Sequence, residues 1–163
     1  MTIEANDFRH VLGHFATGVT ILTASGSKGP IGMACNSFPS VSVDPPLVAV
    51  SPAKTSETWP HIRNTERFVV NLMAREHADL VRTFARKDAD RFAATGHHLR
   101  SCGPALDGVL GWIECELEAE HDAGDHWIAV ARVVALEANP DREPLVFYRS
   151  GYGSFLIATT SAE

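Results

Sequence analysis

The chain has 163 residues, enough for one domain with a full core and too few to require two. Its 45% hydrophobic and 21% charged residues are the proportions of a soluble globular protein, and a formal net charge of −6 argues against nucleic acid as the main partner, because phosphate binding needs a basic surface. Three cysteines, at positions 35, 102 and 115, form no CxxC pair and leave an odd count, which argues against a disulfide framework or a thiolate metal site and makes reduced thiols in a cytoplasmic protein the expectation.

Residues 1–7 are acidic and lack an apolar signal-peptide region, and no apolar run reaches membrane-spanning length, so no membrane partner is expected. Asn6 or Asp7 is placed to cap a helix through about Phe15, with Phe8, Val11, Leu12 and Phe15 on one face and Gly18 ending it. A β-branched strand is expected over 19–23, and a polar, glycine-containing turn over 25–30. Strands over 32–42 and 47–51 follow, joined at Asp44-Pro45-Pro46, where two prolines exclude regular pairing. A short helix starts between 55 and 58 and runs to about Asn64, with Pro60 tolerable in its first turn.

A buried strand is expected over 68–73, then a helix over 76–87 that buries Leu80, Val81, Phe84 and Ala85. Residues 88–111, punctuated by glycines, read as mostly irregular. Ile113, Cys115, Leu117 and Ala119 then alternate with Glu114, Glu116, Glu118 and Glu120, the pattern of a strand with one wet face. An acidic turn at 122–125 leads into an apolar strand over 126–136, and a last strand over 144–149 precedes a Gly151-Tyr152-Gly153 turn. Many strands and two or three short helices predict a mainly β, antiparallel barrel of one domain with helical covers.

Several chemistries are excluded. Gly26, Gly29 and Gly32 have the wrong spacing for a dinucleotide-binding turn, and no P-loop is present. His10 and His14 share a helix face but lack the glutamate of HExxH, so a zinc protease is excluded and no metal site is expected. His97-His98 reads as surface.

The most informative stretch is 32–46, where small and hydroxylic residues stand in place of the bulky β-branched residues of an ordinary strand. It reads either as an edge strand with a Pro-rich turn, or as a strand that a flat ligand approaches closely enough to meet backbone N–H groups. Its order, Asn36-Ser37-Phe38, Ser40-Val41-Ser42 and Asp44-Pro45-Pro46-Leu47-Val48, resembles the flavin-contacting strand of the flavin reductase family, small NAD(P)H:flavin oxidoreductases. The opening segment from Phe8 to Thr20, Phe68-Val69-Val70-Asn71-Leu72, Phe84-Ala85-Arg86-Lys87 with Arg91-Phe92, Gly124-Asp125-His126 and Pro144 to Tyr148 extend the resemblance over most of the chain.

The resemblance implies a Greek-key FMN-binding split barrel and a site assembled from several segments. Backbone N–H groups of Met33, Ala34, Cys35, Asn36 and Ser37 would meet the isoalloxazine, where reduction places negative charge on N1 and O2. The family often has Thr or Ser where Ala34 and Cys35 stand, which removes hydroxyl contacts and leaves the backbone ones. Ser51, Pro52, Lys54, Thr55 and Ser56, after a strand and near a helix start, and Phe84, Ala85 and Lys87 complete the flavin site, with Lys54, Ser56 and Lys87 on the phosphate. Without the resemblance, Lys54 reads as a solvated loop lysine and Lys87 as a complement to a helix dipole.

His126 is the expected catalytic residue, either positioning the nicotinamide carboxamide or exchanging a proton with reduced flavin; a structural histidine bonded to Asp125 or Asp122 is the alternative. Tyr152 would cover the nicotinamide or adenine, or be an ordinary barrel-end aromatic. The expected function is hydride transfer from NADH or NADPH to FMN or FAD, which then serves a separate flavin-dependent monooxygenase. A non-catalytic flavin-binding module and a flavoprotein that keeps its FMN remain the competing readings. A homodimer is expected, with the strands around 128–136 and 47–50 as candidate contributors to its interface.

Overall fold

The computed structural model describes residues 2–155. Helix α1 (Ala5–Leu12) leads into twelve strands: β1 (Thr17–Gly18), β2 (Thr20–Gly26), β3 (Gly29–Cys35), β4 (Ser40–Ser42), β5 (Leu47–Val50), β6 (Arg67–Leu72), β7 (His97–Leu99), β8 (Pro104–Leu106), β9 (Gly111–Ala123), β10 (His126–Ala138), β11 (Leu145–Tyr148) and β12 (Gly151–Ser154). Helix α2 (Trp59–Arg63) lies between β5 and β6, and α3 (Ala78–Ala85) between β6 and β7. None of these helices is long and apolar enough to cross a membrane.

Seven strands form the main sheet in the order β3-β2-β6-β9-β10-β5-β4, all paired antiparallel. Its two ends converge: Cys35 of the end strand β3 and Val48 of β5, next to the other end, belong to one core cluster with Leu22, Phe68, Cys115 and Ala129. The sheet therefore curls around a single interior without a ladder joining β3 to β4, which is a barrel split along one seam. Trp59 and Ile62 of α2 plug this interior, with the Trp59 ring edge-on to Phe68 at 6.2 Å. A second apolar cluster, with Ile21, Val81, Phe84, Leu106 and Leu145, lies under α3 on the outer face of the sheet.

The sequence expectations hold for the core strands and need correction at several places. α1 stops at Leu12 rather than near Phe15, because after Gly13 the His14 and Phe15 N–H groups bond three residues back, to Val11 and Leu12, before the chain extends into β1; Glu4, not Asn6 or Asp7, occupies the cap position. Regular pairing along 32–42 breaks after Cys35, leaving 36–39 outside any strand. Residues 97–106 hold the β7–β8 hairpin, where irregular chain was expected. Gly151-Tyr152-Gly153 is strand β12 rather than a turn; the turn falls at Arg149-Ser150, both with positive φ. Val48, Ala49 and Val50 are buried in the barrel, so β5 has no side-chain row left for an interface, whereas Ile128, Val134 and Leu136 on β10 are exposed.

The glutamate face of β9 is only partly wet. Glu114 is buried because the loop after β7 folds over it, and the Ser101 hydroxyl donates a short hydrogen bond to its carboxylate. Further along, Glu118 and Val134 are extra residues at two bulges between β9 and β10. Gly103, at φ +144, lets the folded-over loop touch β2: a Cβ there would stand 3.0 Å from the Ala24 Cα. All three cysteines are free and buried; burial raises the Cys35 and Cys102 thiols and pushes Cys115 up to about 12.

One buried carboxamide ties these layers. Asn71 on β6 donates to the Ile21 carbonyl at 3.0 Å and the Thr23 hydroxyl at 2.9 Å, and accepts the Leu106 N–H at 2.8 Å. The Thr23 hydroxyl in turn donates to the Pro104 carbonyl, so the hairpin is fastened to the sheet from both sides. Asn71→Ala strands the buried Leu106 N–H, a loss of about 1–3 kcal/mol for that group alone. Urea unfolding of this variant is expected to show a lowered midpoint at an unchanged slope; an unmoved midpoint would show that the hairpin is held by packing alone.

Candidate functional site

The break after Cys35 is where the structure opens. Asn36, Ser37, Phe38 and Pro39 form one wall of a cavity of about 850 Å³, and α1, β1, Leu145 and Phe147 form the others. Its size falls in the range of about 300–1,000 Å³ common to small-molecule sites, and its walls are mostly apolar. Among the described residues, the N–H groups of Asn36, Ser37 and Phe38 have no backbone acceptor, and the buried Thr17 hydroxyl on the same cavity has no partner. Unsatisfied donors on an apolar slot are what a planar, polar-edged ring requires.

The expected flavin-contacting strand is divided between two faces, as strand alternation dictates. Met33 and Cys35 belong to the barrel interior, Ala34 to the cluster under α3, and the exposed Asn36 and Ser37 alone reach the large cavity. The Cys35 thiol donates to the Ser37 carbonyl at 3.6 Å and also contacts the Ser51 backbone, drawing the ends of β3 and β5 together. Phe84, 1% exposed, packs against Phe92 and over Gly32, where a Cβ would meet the Phe84 ring and the Leu22 carbonyl at 2.8 Å each. Pro52 is likewise buried, and Ala85 is exposed.

The residues expected around the phosphate fall in two places. Lys54 lies beside the β9–β10 turn: its N–H donates to the Asp125 carbonyl, its ammonium pairs with Asp122 at 2.5 Å, and it sits over the Trp127 ring at 4.8 Å. That hydrogen bond holds the Asp122 carboxyl below the usual carboxylate range. Ser56 accepts the Trp59 N–H at 3.1 Å and stands 3.6 Å from the Met33 sulfur, so it links α2 to β3; Thr55 next to it is exposed. Lys87, beyond α3, pairs with Glu57 at 3.1 Å.

Between these groups is Arg91, whose importance the irregular-looking 88–111 segment concealed. Its guanidinium donates to the Gly32 carbonyl at 2.8 Å, the Thr58 hydroxyl at 2.9 Å and the Arg86 carbonyl at 2.6 Å. It thereby fastens β3, the approach to α2 and the end of α3 around a recess of about 410 Å³. The sequence signal for it is its place, with Phe92, in the segments that carry the family resemblance, without a role attached.

His126 opens β10 and is bridged to Ala53, so it is a near neighbour of Lys54. Its Nδ1 donates to Asp125 at 2.7 Å, and this bond is the main reason the Asp125 carboxyl is held below its usual range. The ring lines a recess of about 650 Å³ with Ile3, Phe8 and Arg9. Tyr152 lies elsewhere, against Phe147 and beneath the Arg82 guanidinium, in the cluster that also contains Ala34 and Phe84. His97 and His98 are exposed, and no group of three or more metal-binding side chains occurs among the described residues.

Known proteins share this arrangement. A family model described as flavin reductase like domain matches residues 12–156. The reductase subunit HsaB of a flavin-dependent monooxygenase from Rhodococcus jostii is 43% identical over 92% of this chain and 77% of its own length. The FMN reductase (NADH) SmoA of Agrobacterium fabrum is 40% identical over 93% of this chain and 87% of its own. Among solved structures, nitrilotriacetate monooxygenase component B from Mycobacterium thermoresistibile superposes with a TM-score of 0.91 at 37% identity, over 97% of this chain and 90% of its own. An NADH:FAD oxidoreductase from Streptomyces globisporus, in complex with NAD and FAD fragments, gives 0.90 at 29% identity, over 98% of this chain and 99% of its own. The strand order, the opening after Cys35 and these likenesses agree: the chain belongs to the flavin reductase like domain family.

Proposed function

We propose that this chain is an NAD(P)H-dependent flavin reductase that gives reduced FMN or FAD to a separate flavin-dependent monooxygenase in the cytoplasm. The observation that carries this reading is the apolar cavity edged by unpartnered N–H groups at Asn36–Phe38 and by the Thr17 hydroxyl. Relatives that are reductase components of two-enzyme systems supply the partner class.

When bound, flavin supplies an electrophilic N5 that takes a hydride from the nicotinamide. The N–H groups of 36–38 would meet the ring edge, where fixed donors stabilise the negative charge that reduction creates. Phe38, Phe147 and Leu145 exclude water from that face. Lys54 and Ser56 would hold the phosphate, with Lys87 reaching it from its pair with Glu57, next to Ser56; each lysine sits in an exposed ion pair, which is screened and would offer a phosphate dianion little competition. His126 acts by position: with Nδ1 committed to Asp125, Nε2 is the ring nitrogen left to meet the carboxamide of the nicotinamide. Tyr152, which lines neither recess, is retained only as a more distant cover for the adenine.

Steady-state NADH oxidation that scales with added free flavin is the expected result, and a flavin-loaded protein inert to NADH and NADPH would make it a binding module instead. In the same assay His126→Ala should raise the NADH KM or lower turnover with flavin affinity nearly unchanged. An unaltered kcat/KM would assign His126 to structure alone.

Replacing Lys54 and Ser56 together by alanine should weaken FMN at least about tenfold while sparing riboflavin, since a charge-assisted contact contributes roughly 1.5–3 kcal/mol. Equal losses for both flavins in a fluorescence titration would remove the pair from the phosphate site.

The active form is a homodimer in this reading. α1 presents Phe8, Val11 and Leu12 to solvent at 56%, 65% and 51% exposure, beside exposed Phe15, an apolar row that a monomer leaves wet. Light scattering is expected to give about twice 17.7 kDa across a dilution series, and a fully active species at monomer mass would overturn the dimer.

A further inference from the structure

The large cavity and the recess holding His126 are not independent. Phe8 and Arg9, on consecutive positions of α1, line both, so this one turn of helix is the wall between them. Both compartments are mostly apolar, and they differ in the charged groups they hold. Arg9 is the only charged side chain among the described residues lining the larger one. In the smaller one the acid, Asp125, is already committed to His126 at 2.7 Å. Arg9 itself is exposed and makes no ion pair among the described residues. It is nevertheless within electrostatic reach of Asp125, whose carboxyl its charge helps, after the His126 contact, to hold down.

An unpaired guanidinium at the lip of an apolar slot, on a protein of net charge −6, is a standing attraction for an anion. The chain has no glycine-rich turn to cradle a diphosphate, so a dinucleotide must find its counter-charge elsewhere. Resting on the reductase reading above, we propose that Arg9 is the residue that captures the diphosphate of the nicotinamide dinucleotide, at the junction of the two recesses. The planar fork of the guanidinium suits two diphosphate oxygens, and its place between Asn36–Ser37 on one side and His126 on the other lets the nicotinamide end run inward while the adenosine end stays outside.

The flavin phosphate is the competing source of the same chemistry, and riboflavin, which has none, separates them. With riboflavin as acceptor, Arg9→Ala should lower kcat/KM for NADH at least about tenfold, the loss carried by KM. Arg9→Lys should restore most of it, and reduced nicotinamide mononucleotide, which has a single phosphate, should lose less than NADH. Calorimetric titration of NAD+ into riboflavin-loaded protein should show the same weakening without any turnover. An unchanged KM and NAD+ affinity would overturn the proposal. So would a loss seen with FMN but absent with riboflavin, which would give Arg9 to the flavin phosphate. A loss that follows a fall to monomer mass in light scattering would overturn it too, by making Arg9 an interface residue. A wild-type protein that binds NAD+ through Arg9 yet never oxidises NADH would sink the reductase reading and leave the role of Arg9 standing.

Discussion

The buried carboxamide of Asn71 is the constraint on which the layered arrangement depends. A side chain near the end of β6, with no access to water, must satisfy its donors and acceptor inside the protein. It does so by reaching β2 on one side and the β7–β8 hairpin on the other. The hairpin in turn closes over Glu114 and positions the outer cluster on which α3 rests. Because α3 packs through Phe84 onto Gly32, the register of β3 is fixed from behind, and the point where β3 lets go, after Cys35, is fixed with it.

Loosening at that point is what gives the molecule a site. A strand continuing to Ser42 would have tied part of this segment to the ladder; a strand ending at Cys35 leaves the N–H groups of 36–38 without a backbone acceptor beside an apolar slot. The division of labour is then physical. Apolar walls supply area and exclude water, a few fixed donors supply orientation, and charged groups stay at the margins, where solvent screens their pairs.

The sequence made the core legible because alternation and β-branching report burial directly: the strands at 20–26, 47–50, 67–72 and 126–138 all lie close to their expected places. It was less informative where long-range packing overrode local pattern. Glu114 sits in a wet-looking alternation and is buried only because residues 100–103 fold across it. Residues 97–106 carry too little apolar periodicity to signal a hairpin, since what holds them is Asn71 and Thr23. For the site, Asn36, Ser37 and His126 could be singled out from their segments. Arg9 and Arg91 lie in family-like segments that give them no role, because their significance lies in which distant residues they meet.

The state of the cysteines has a consequence for the life of such an enzyme in air. Reduced flavin that escapes into aerated solution reacts with oxygen and yields hydrogen peroxide, so a flavin reductase works in the oxidant it indirectly makes. Peroxide attacks thiolates, and attack needs both ionisation and access. Cys35, Cys102 and Cys115 are buried with raised pKa values, and thus offer little of either. Placing all three inside the packing makes the protein chemically durable beside its own by-product, without a disulfide to maintain or a thiol to repair.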